Sequence, residues 1–328
     1  MSIHRHSISV YIPVYKAGPF MEKCCRTLFE QTLTDLEYVF VDDCTPDDSM
    51  EILKQVLEQY PNRKNEVKIL RNETNLGVAK TIKKAIEACT GEYLIRCDPD
   101  DYVATDLYEK MLQKAQMENA DVVVCDYAEV KADKITPRLQ HTFQDGRDAM
   151  HLIMQEKMHG ALWNKLIQRD LFSKIEFWPE MNFREDQVIS IQIFFHSQNP
   201  VFYSHVGYFY RQNPNSLVNS PGVDQCLFRW DGTFSYTKVM IKFLESTTLL
   251  DIFAQDILKI KYLAKDFIWA MMHHWGYYWR WFWTYPELNL YGLFDKNRLP
   301  GIRRSHLIAL LGLYPLYYQV KNSLKKGK

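Results

Sequence analysis

The sequence lacks the marks of several common protein classes. Lysine plus arginine and aspartate plus glutamate both number 40, so the formal charge is zero and no global basic field points to nucleic acid. The seven cysteines are scattered, with an adjacent pair at Cys24 and Cys25 but no C-x-x-C, so a zinc site has no support. We therefore expect reduced cytosolic thiols, mostly in the core, and no nucleic-acid partner.

Long apolar segments are also missing. No stretch reaches the ~18 uninterrupted apolar residues of a membrane-spanning helix. The segment Phe267–Tyr285 is interrupted by two histidines and Arg280, and His306–Val320 is short and contains Pro315. The first residues lack the apolar core of a signal peptide. The expected location is the cytoplasm, with peripheral contact at the inner face of the cell membrane as an option.

Two nucleotide-binding motifs are absent as well. No G-x-G-x-x-G follows the first predicted strand and no Walker-type loop occurs, which excludes an ordinary dinucleotide-binding or P-loop protein. In the first half of the sequence, apolar strands alternate with amphipathic helices. This alternation predicts an α/β fold with a mainly parallel, Rossmann-like sheet. The predicted strands are Ile8–Val14, Glu37–Asp43, Val67–Asn72, Glu92–Asp98 and Asp121–Tyr127; the predicted helices are Pro19–Gln31, Thr45–Tyr60, Gly77–Cys89 and Thr105–Asn119.

Polar and acidic residues follow the predicted strands. The first strand ends in PVYK, the second in VDDCTPDD, the third in RNETNLG and the fourth in CDPDD. Ligands of parallel sheets bind beyond the carboxyl ends of the strands. The sequence therefore predicts a ligand site at this edge of the sheet.

The cluster after the fourth strand predicts a metal site. Asp98 and Asp100 are two positions apart, so in extended chain their side chains point to the same side. Two such carboxylates suit Mg²⁺ or Mn²⁺, which commonly bridge carboxylates to substrate phosphates. Asp101 would face the other way and cap the following helix. The alternative is that DPDD is a solvated turn with helix-capping acids.

These motifs resemble glycosyltransferase family 2, whose members have the GT-A fold. The resemblance covers residues 8 to about 127 and rests on four motifs in order: ISVYIPVYK, TLFEQTLTDLEYVFVDDCTPDDS, NETNLGVAKTIKKAIEACTGEYLIRCDPDDY and the later REDQ. One departure is Lys16, where the family often has asparagine. The related enzymes include builders of bacterial surface polysaccharides.

The resemblance implies roles for residues at the predicted sheet edge. Pro13 and Tyr15 would line the nucleotide base pocket, and Asp43 would accept a hydrogen bond from the base. Asn75 and Gly77 match an N-x-G turn before the third helix. Further nucleotide and metal contacts are implied for the D-x-D pair, in which Asp98 would touch the ribose and the metal, and Asp100 the metal. The implied cofactor is Mn²⁺ or Mg²⁺.

The REDQ motif carries the implied catalytic base. Asp186 is the first choice and Glu185 the second, because a carboxylate within hydrogen-bond reach can take the proton of an acceptor hydroxyl. A metal would stabilise the leaving nucleoside diphosphate. Inversion at the anomeric carbon follows from the resemblance alone. The alternative is that both acids only cap a helix, favoured there by the helix dipole.

A weaker set of acceptor or diphosphate contacts is predicted downstream. In HGALWNKL, Trp163 would offer a sugar-stacking face, Asn164 and Lys165 would reach phosphate or acceptor, and His159 would contact the diphosphate. Alternatively, Trp163 and Leu166 form one buried helix face with Lys165 in solvent. Arg211 and Ser216 are predicted on a mobile loop over the donor diphosphate.

Two domains are predicted. Residues 1–220 would form the GT-A catalytic domain, with a nucleotide-sugar-binding half at 1–127 and an acceptor half at 128–220. Residues 221–328 would be a helical, aromatic-rich region, with one or two amphipathic helices over Asp251–Trp275. Its stretch HHWGYYWRWFWTY and basic tail favour contact with a membrane surface. The alternatives are an aromatic core or a homodimer contact.

The predicted function is metal-dependent, inverting transfer of a sugar from an NDP-sugar, favoured as a UDP-sugar, to a glycan hydroxyl. A sugar on polyprenyl diphosphate is a second possible acceptor, and bacterial surface polysaccharide synthesis the expected setting. One alternative is a sugar nucleotidyltransferase, which needs a loop rich in Gly and Arg or Lys after the first strand; PVYKAGPF has one Gly and one Lys. The other is a non-catalytic nucleotide-binding protein, which the presence of Asp98, Asp100 and Asp186 disfavours.

Overall fold

The computed structural model describes residues 6–132, 134–181, 183–212, 222–269, 271–294 and 300–326. The chain divides into two compact units, Met1–Asn213 and Pro214–Lys328. The predicted domain boundary between residues 220 and 221 lies outside the described residues.

The first unit is built on a nine-stranded sheet with the order β3-β2-β1-β4-β8-β6-β9-β5, and β7 pairs with β6 at the side. The strands β1 to β4 are parallel to their neighbours in this group, whereas β8 runs antiparallel to both β4 and β6. The strands are β1 Ile8–Val14, β2 Leu36–Asp42, β3 Val67–Arg71, β4 Tyr93–Arg96, β5 Tyr102–Val103, β6 Val122–Lys131, β7 Lys134–Arg138, β8 Lys165–Gln168 and β9 Pro200–Arg211.

Six helices belong to the first unit. They are α1 Gly18–Phe29, α2 Ser49–Leu57, α3 Val78–Ala88, α4 Leu107–Glu118, α5 Gly146–Met154 and α6 Glu185–His196, with single 3-10 turns at Pro61–Glu66 and Arg169–Lys174. Every residue of β1 and β2 is buried, as expected for parallel strands covered on both faces. The seven cysteines are free, and five of them are buried.

The predicted α/β class and the strand–helix alternation are confirmed. The strand predicted at Ile8–Val14 has the observed bounds. The predicted start of the second helix at Thr45 is wrong, because α2 begins at Ser49. Instead, the Thr45 hydroxyl accepts a hydrogen bond from the Lys16 backbone N–H and donates one to Asp47 Oδ1, which shapes the loop before α2.

The second unit is helical. Its helices are α7 Val223–Ser246, α8 Ala254–Trp269, α9 Trp275–Trp283, α10 Tyr291–Phe294, α11 Pro300–Leu310 and α12 Tyr314–Lys326, with a 3-10 turn at Pro286–Leu288. A small core holds the buried aromatic rings Tyr278 and Trp281 together with Ile268 and Ala309. Among the helices that the structure describes, none combines the length and the apolar character needed to span a bilayer.

Candidate active site

The carboxyl ends of β1, β2 and β4 bring the predicted site residues to one edge of the sheet. Val14 is the register partner of Asp42, and Tyr11 is that of Arg96, so the loops that follow these strands start side by side. Pro13 is buried in β1, whereas Tyr15 and Lys16 are exposed immediately after it.

Asp43 holds the turn before α3. Its carboxylate accepts hydrogen bonds from Asn72 Nδ2 at 2.8 Å, from the Leu76 N–H at 2.8 Å and from the Gly77 N–H at 3.0 Å. Gly77 has φ 84°, a conformation that favours glycine, and its N–H also approaches the exposed Asn75 side chain at 3.1 Å. A carboxylate has about four acceptor positions, so this network leaves Asp43 capacity for a further donor.

The D-x-D pair is acidic, crowded and partly buried. Asp98 Oδ1 accepts a hydrogen bond from Arg96 Nε at 2.6 Å, and the Asp98 side chain is 18% exposed. Burial and the negative charge of Asp98 raise the pKa of Asp100 to about 6. Both effects disfavour two negative charges at this place.

Asp101 does not cap the following helix as predicted. It is fully buried and accepts hydrogen bonds from the Tyr208 hydroxyl at 2.7 Å and the Arg211 N–H at 2.6 Å, both on β9. The Tyr208 hydroxyl also accepts the Asp98 N–H at 3.1 Å. The N-cap of α4 is Asp106. Asp101 therefore fastens the D-x-D turn to β9.

The donor set of the D-x-D turn fits a divalent cation. Among the described residues, no group of three His, Cys, Asp or Glu side chains is arranged to hold a metal ion. Mg²⁺ typically takes only one or two protein carboxylates and completes its shell with substrate phosphates and water. Asp98 and Asp100 supply that number of oxygen ligands, and a cation would offset the repulsion that raises the pKa of Asp100.

Arg96 links the D-x-D turn to the predicted base pair. It is buried, and its Nη1 lies 3.8 Å from Glu185 Oε1, while its Nε binds Asp98. Its register partner Tyr11 is also buried, and among the described residues its hydroxyl has no hydrogen-bond partner. Arg96 had no predicted role, although a charged residue at the end of the otherwise apolar strand YLIR is a signal of a functional position.

Glu185 and Asp186 occupy the first turn of α6. Burial and the neighbouring Asp186 charge raise the pKa of Glu185 to about 7, against the opposing charge of Arg96. Burial also raises the pKa of Asp186, and Arg96 and Lys165 oppose this rise. Asp186 Oδ1 accepts the Gln187 N–H at 2.9 Å. Burial therefore disfavours the ionised form of both acids, and the charge of Arg96, with that of Lys165 for Asp186, partly offsets this effect.

Lys165 is fully buried at the start of β8. Its ammonium donates to the His159 and Ala161 carbonyls at 2.7 and 2.6 Å and to Asn164 Oδ1 at 2.9 Å. Burial lowers the pKa of Lys165 to about 7, while the Asp186 charge acts in the opposite direction. The expectation of a lysine in solvent is wrong, and direct contact with phosphate or acceptor does not match its position.

Trp163 lies in an aromatic stack and is 2% exposed. Its ring stacks on Tyr208 at 4.4 Å and on Tyr210 at 5.7 Å between centroids, both at 12°. This packing corrects the prediction of an open sugar-stacking face. Leu166 is buried too, but it belongs to a strand and not to the predicted helix face. His159 is exposed, with its ring 4.9 Å from Trp163.

The prediction of Arg211 on a loop is wrong, because Arg211 is the last residue of β9 and its N–H binds Asp101 beside the D-x-D pair. Its guanidinium is 4.9 Å from the Phe20 ring centroid and 5.5 Å from that of Tyr102, and its charge counters the raised pKa of Asp100. Ser216 lies outside the described residues.

Comparison with known proteins agrees with this geometry. The family model described as glycosyl transferase family 2 matches residues 9–176, half of the chain. The uncharacterized glycosyltransferase EpsJ of Bacillus subtilis is 28% identical over 223 residues, which are 65% of this chain and 63% of EpsJ. The match therefore spans somewhat less than two thirds of that relative.

Two solved structures share the fold. Staphylococcus aureus TarS 1-349 in complex with UDP-GlcNAc matches 98% of this chain and 92% of its own, with TM-score 0.68 and 18% identity. The mannosyltransferase PcManGT of Pyrobaculum calidifontis, in complex with GDP-Man and Mn²⁺, matches 98% of this chain and 84% of its own, with TM-score 0.55 and 16% identity. At these identities the likeness establishes the fold alone, the predicted GT-A class.

Proposed function

This chain belongs to glycosyl transferase family 2, and from that premise we propose that it transfers a sugar from a nucleoside-diphosphate sugar to a glycan hydroxyl. One observation carries the proposal. Arg96 contacts Asp98 of the D-x-D turn and lies 3.8 Å from Glu185 of the acidic pair. The residues suited to hold the leaving diphosphate and those suited to take the acceptor proton therefore belong to one site.

The donor binds at the carboxyl ends of β1, β2 and β4. Tyr15 contacts the nucleotide base. Asp43 accepts a hydrogen bond from the base, in addition to the three that it accepts from protein groups in the turn of Gly77. Asp98 and Asp100 would hold Mn²⁺ or Mg²⁺, which would supply positive charge to stabilise the leaving diphosphate. Arg211 adds a positive charge beside Asp100.

Asp186 is the general base in this proposal. It takes the proton of the acceptor hydroxyl as that oxygen bonds to the anomeric carbon and the bond to the diphosphate breaks. A single displacement of this kind inverts the anomeric centre. Burial raises the pKa of both acids, and Asp186 is preferred to Glu185 because two cations, Arg96 and Lys165, counter this rise for Asp186.

A UDP-sugar is the favoured donor. The neighbour with TM-score 0.68 is in complex with UDP-GlcNAc, and the neighbour with TM-score 0.55 is in complex with GDP-Man. The acceptor is a glycan or a sugar on polyprenyl diphosphate, handled on the cytoplasmic side of the membrane during surface polysaccharide synthesis. A homodimer is compatible with this role.

Nucleotide-dependent stabilisation tests the proposal. Melting temperatures are measured with UDP, GDP, CMP and TDP, each with and without Mn²⁺. A ligand that binds only the folded state stabilises it by about 2.7 kcal/mol at a hundredfold excess over Kd. We expect a shift with UDP that requires Mn²⁺ and that Asp100→Asn abolishes, while the exposed Asp251→Asn keeps it.

Other outcomes separate the alternatives. A metal-dependent shift followed by hydrolysis or transfer of the sugar excludes the non-catalytic alternative. Turnover of a nucleoside triphosphate with a sugar phosphate would favour the nucleotidyltransferase instead. If no nucleotide shifts the melting temperature of the folded protein, the proposed donor site is wrong.

A further inference from the structure

Residues 275–328 differ in charge from the rest of the chain. They contain nine lysines and arginines but two acids, a net charge of +7, whereas the whole chain has 40 of each sign. The remaining residues therefore carry an excess of negative charge. Such asymmetry points to an anionic partner for this segment.

Helix α9 displays a row of three tryptophans, here called the aromatic row. Trp275, Trp279 and Trp283 recur every four residues and so share one face, and they are 44, 49 and 66% exposed. Other rings of this helix form the core. Tyr278 and Trp281 are buried, and the Tyr278 hydroxyl donates a hydrogen bond to the Ala309 carbonyl at 2.9 Å. Trp275 and Trp279 each contact the ring of Tyr278 edge-on, with ring centroids 5.8 and 5.1 Å apart, yet both remain exposed.

A second exposed apolar set lies on α11, α12 and the turn between them. This leucine row consists of Leu307, Leu311, Leu313, Leu316 and Val320. Arg304 is exposed one turn before Leu307, and Lys321 is exposed beside Val320. Among the described residues, eleven large apolar side chains are exposed between positions 275 and 320, against six between positions 6 and 212.

We propose that the aromatic row and the leucine row, with their neighbouring arginines and lysine, form a surface that binds an anionic lipid bilayer without crossing it. Tryptophan favours the headgroup level, leucine favours the acyl boundary, and basic side chains favour anionic headgroups. Helices α9, α11 and α12 supply all three kinds of residue.

A second copy of the chain is a poorer occupant of this surface. Pairing it with itself would bring two segments of net charge +7 together, and like charges oppose association. The bilayer provides opposite charge and an apolar layer at once. The proposal concerns a different unit from the site of sugar transfer, so it stands or fails independently of the proposed function.

Vesicle co-sedimentation of the full chain tests the proposal. The probes are phosphatidylcholine vesicles alone and the same vesicles with about 30% phosphatidylglycerol. We expect binding to the anionic vesicles only, weakened at high salt because exposed charges are screened. The double variant Trp279→Ser, Trp283→Ser should lower the partition coefficient about tenfold or more. Arg304→Gln with Lys321→Gln should lower it about tenfold on anionic vesicles.

The control is a double variant of two apolar residues in the other unit that are more exposed than these tryptophans, Met117→Ser and Leu139→Ser, at 84 and 73%. It should bind like the wild type, and circular dichroism verifies that each variant is folded. The proposal is overturned if the folded wild type ignores anionic vesicles, or if the control loses as much binding as the tryptophan variant. The proposal is also overturned if the tryptophan variant binds vesicles like the wild type but loses a dimer that light scattering detects for the wild type. That result would assign the surface to a second copy of the chain.

Discussion

Arg96 Nη1 lies 3.8 Å from Glu185 Oε1, and the same guanidinium binds Asp98 through Nε at 2.6 Å. One buried cation therefore serves carboxylates from two separate segments, the turn after β4 and the start of α6. The electrostatic balance of the site depends on this residue, since its charge also opposes the raised pKa of Asp186.

Replacing Arg96 should destabilise the protein. Arg96→Leu leaves buried carboxylates without their counter-charge, and we expect the free energy of unfolding to fall by about 3 kcal/mol at neutral pH. Added Mn²⁺ should restore more stability to this variant than to the wild type, because it supplies positive charge to the same carboxylates. Thermal unfolding with and without Mn²⁺ measures both effects. Arg138→Leu is the control, because Arg138 is an exposed residue of β7 that pairs with Glu129; equal stability of the two variants would contradict the role of Arg96.

Amide substitutions should separate the two acids of α6. Asp186→Asn should lower kcat about a thousandfold, within the range for a lost general base, and leave the nucleotide Kd within about twofold. Glu185→Gln should have a smaller effect on kcat. Steady-state kinetics and nucleotide titration provide the measurements. A wild-type rate for Asp186→Asn together with an inactive Glu185→Gln would exchange the two roles.

The turn held by Asp43 should tolerate no side chain at Gly77. With φ 84° and ψ 164°, Gly77 occupies a region that is costly for L-residues. We expect Gly77→Ala to lower the free energy of unfolding by about 1–3 kcal/mol and to weaken nucleotide binding. Gly276→Ala is a matched control, because no atom lies within 4 Å of an added Cβ there and the position is helical. Denaturant titration of both variants measures the change in the free energy of unfolding.

Buried Lys265 should give the helical unit a pH-dependent stability. Its ammonium donates to the Trp281 and Thr284 carbonyls and to Asn289 Oδ1, and burial lowers its pKa to about 7. The unfolded state then binds more protons than the folded state between pH 7 and the ordinary lysine value of 10.5, so stability should rise with pH in that window, by about 1 kcal/mol per pH unit.

Tryptophan fluorescence can follow this transition, because six of the eight tryptophans lie between residues 222 and 294. Lys265→Met should flatten the rise of melting temperature with pH. Lys259→Met, an exposed position on the same helix, should keep it. The assignment fails if both variants retain the wild-type slope.

The sequence predicted the strands and helices of the nucleotide half because their patterns are local. Apolar runs defined β1 to β4, α1, α3 and α4 to within two residues, whereas α2 begins four residues after the predicted Thr45. Asp43, Asp98 and Asp100 follow β2 and β4 at the predicted edge of the sheet. Pairings between distant segments were not predictable in this way. The two-residue strand β5 exists through its antiparallel pairing with β9, and β8 inserts between β4 and β6.

The same limit explains the wrong predictions for the side chains of Asp101 and Lys165. Asp101 looked like a helix cap because its partners Tyr208 and Arg211 are remote in sequence. Lys165 was predicted in solvent because lysine is rarely buried. Three converging acceptors make its burial possible, namely the His159 and Ala161 carbonyls and Asn164 Oδ1.

The hydrogen bonds of Tyr208 to Asp101 and Asp98 span 107 and 110 residues. During synthesis, the turn bearing Asp98 and Asp100 leaves the ribosome long before β9 exists. Both hydrogen bonds can form only after the chain has been made to Tyr208, and closing so long a loop is entropically costly. The acidic edge of the sheet can therefore take its final form only once β9 exists, and a nascent chain arrested before residue 200 has its acidic turn without the strand that fixes it.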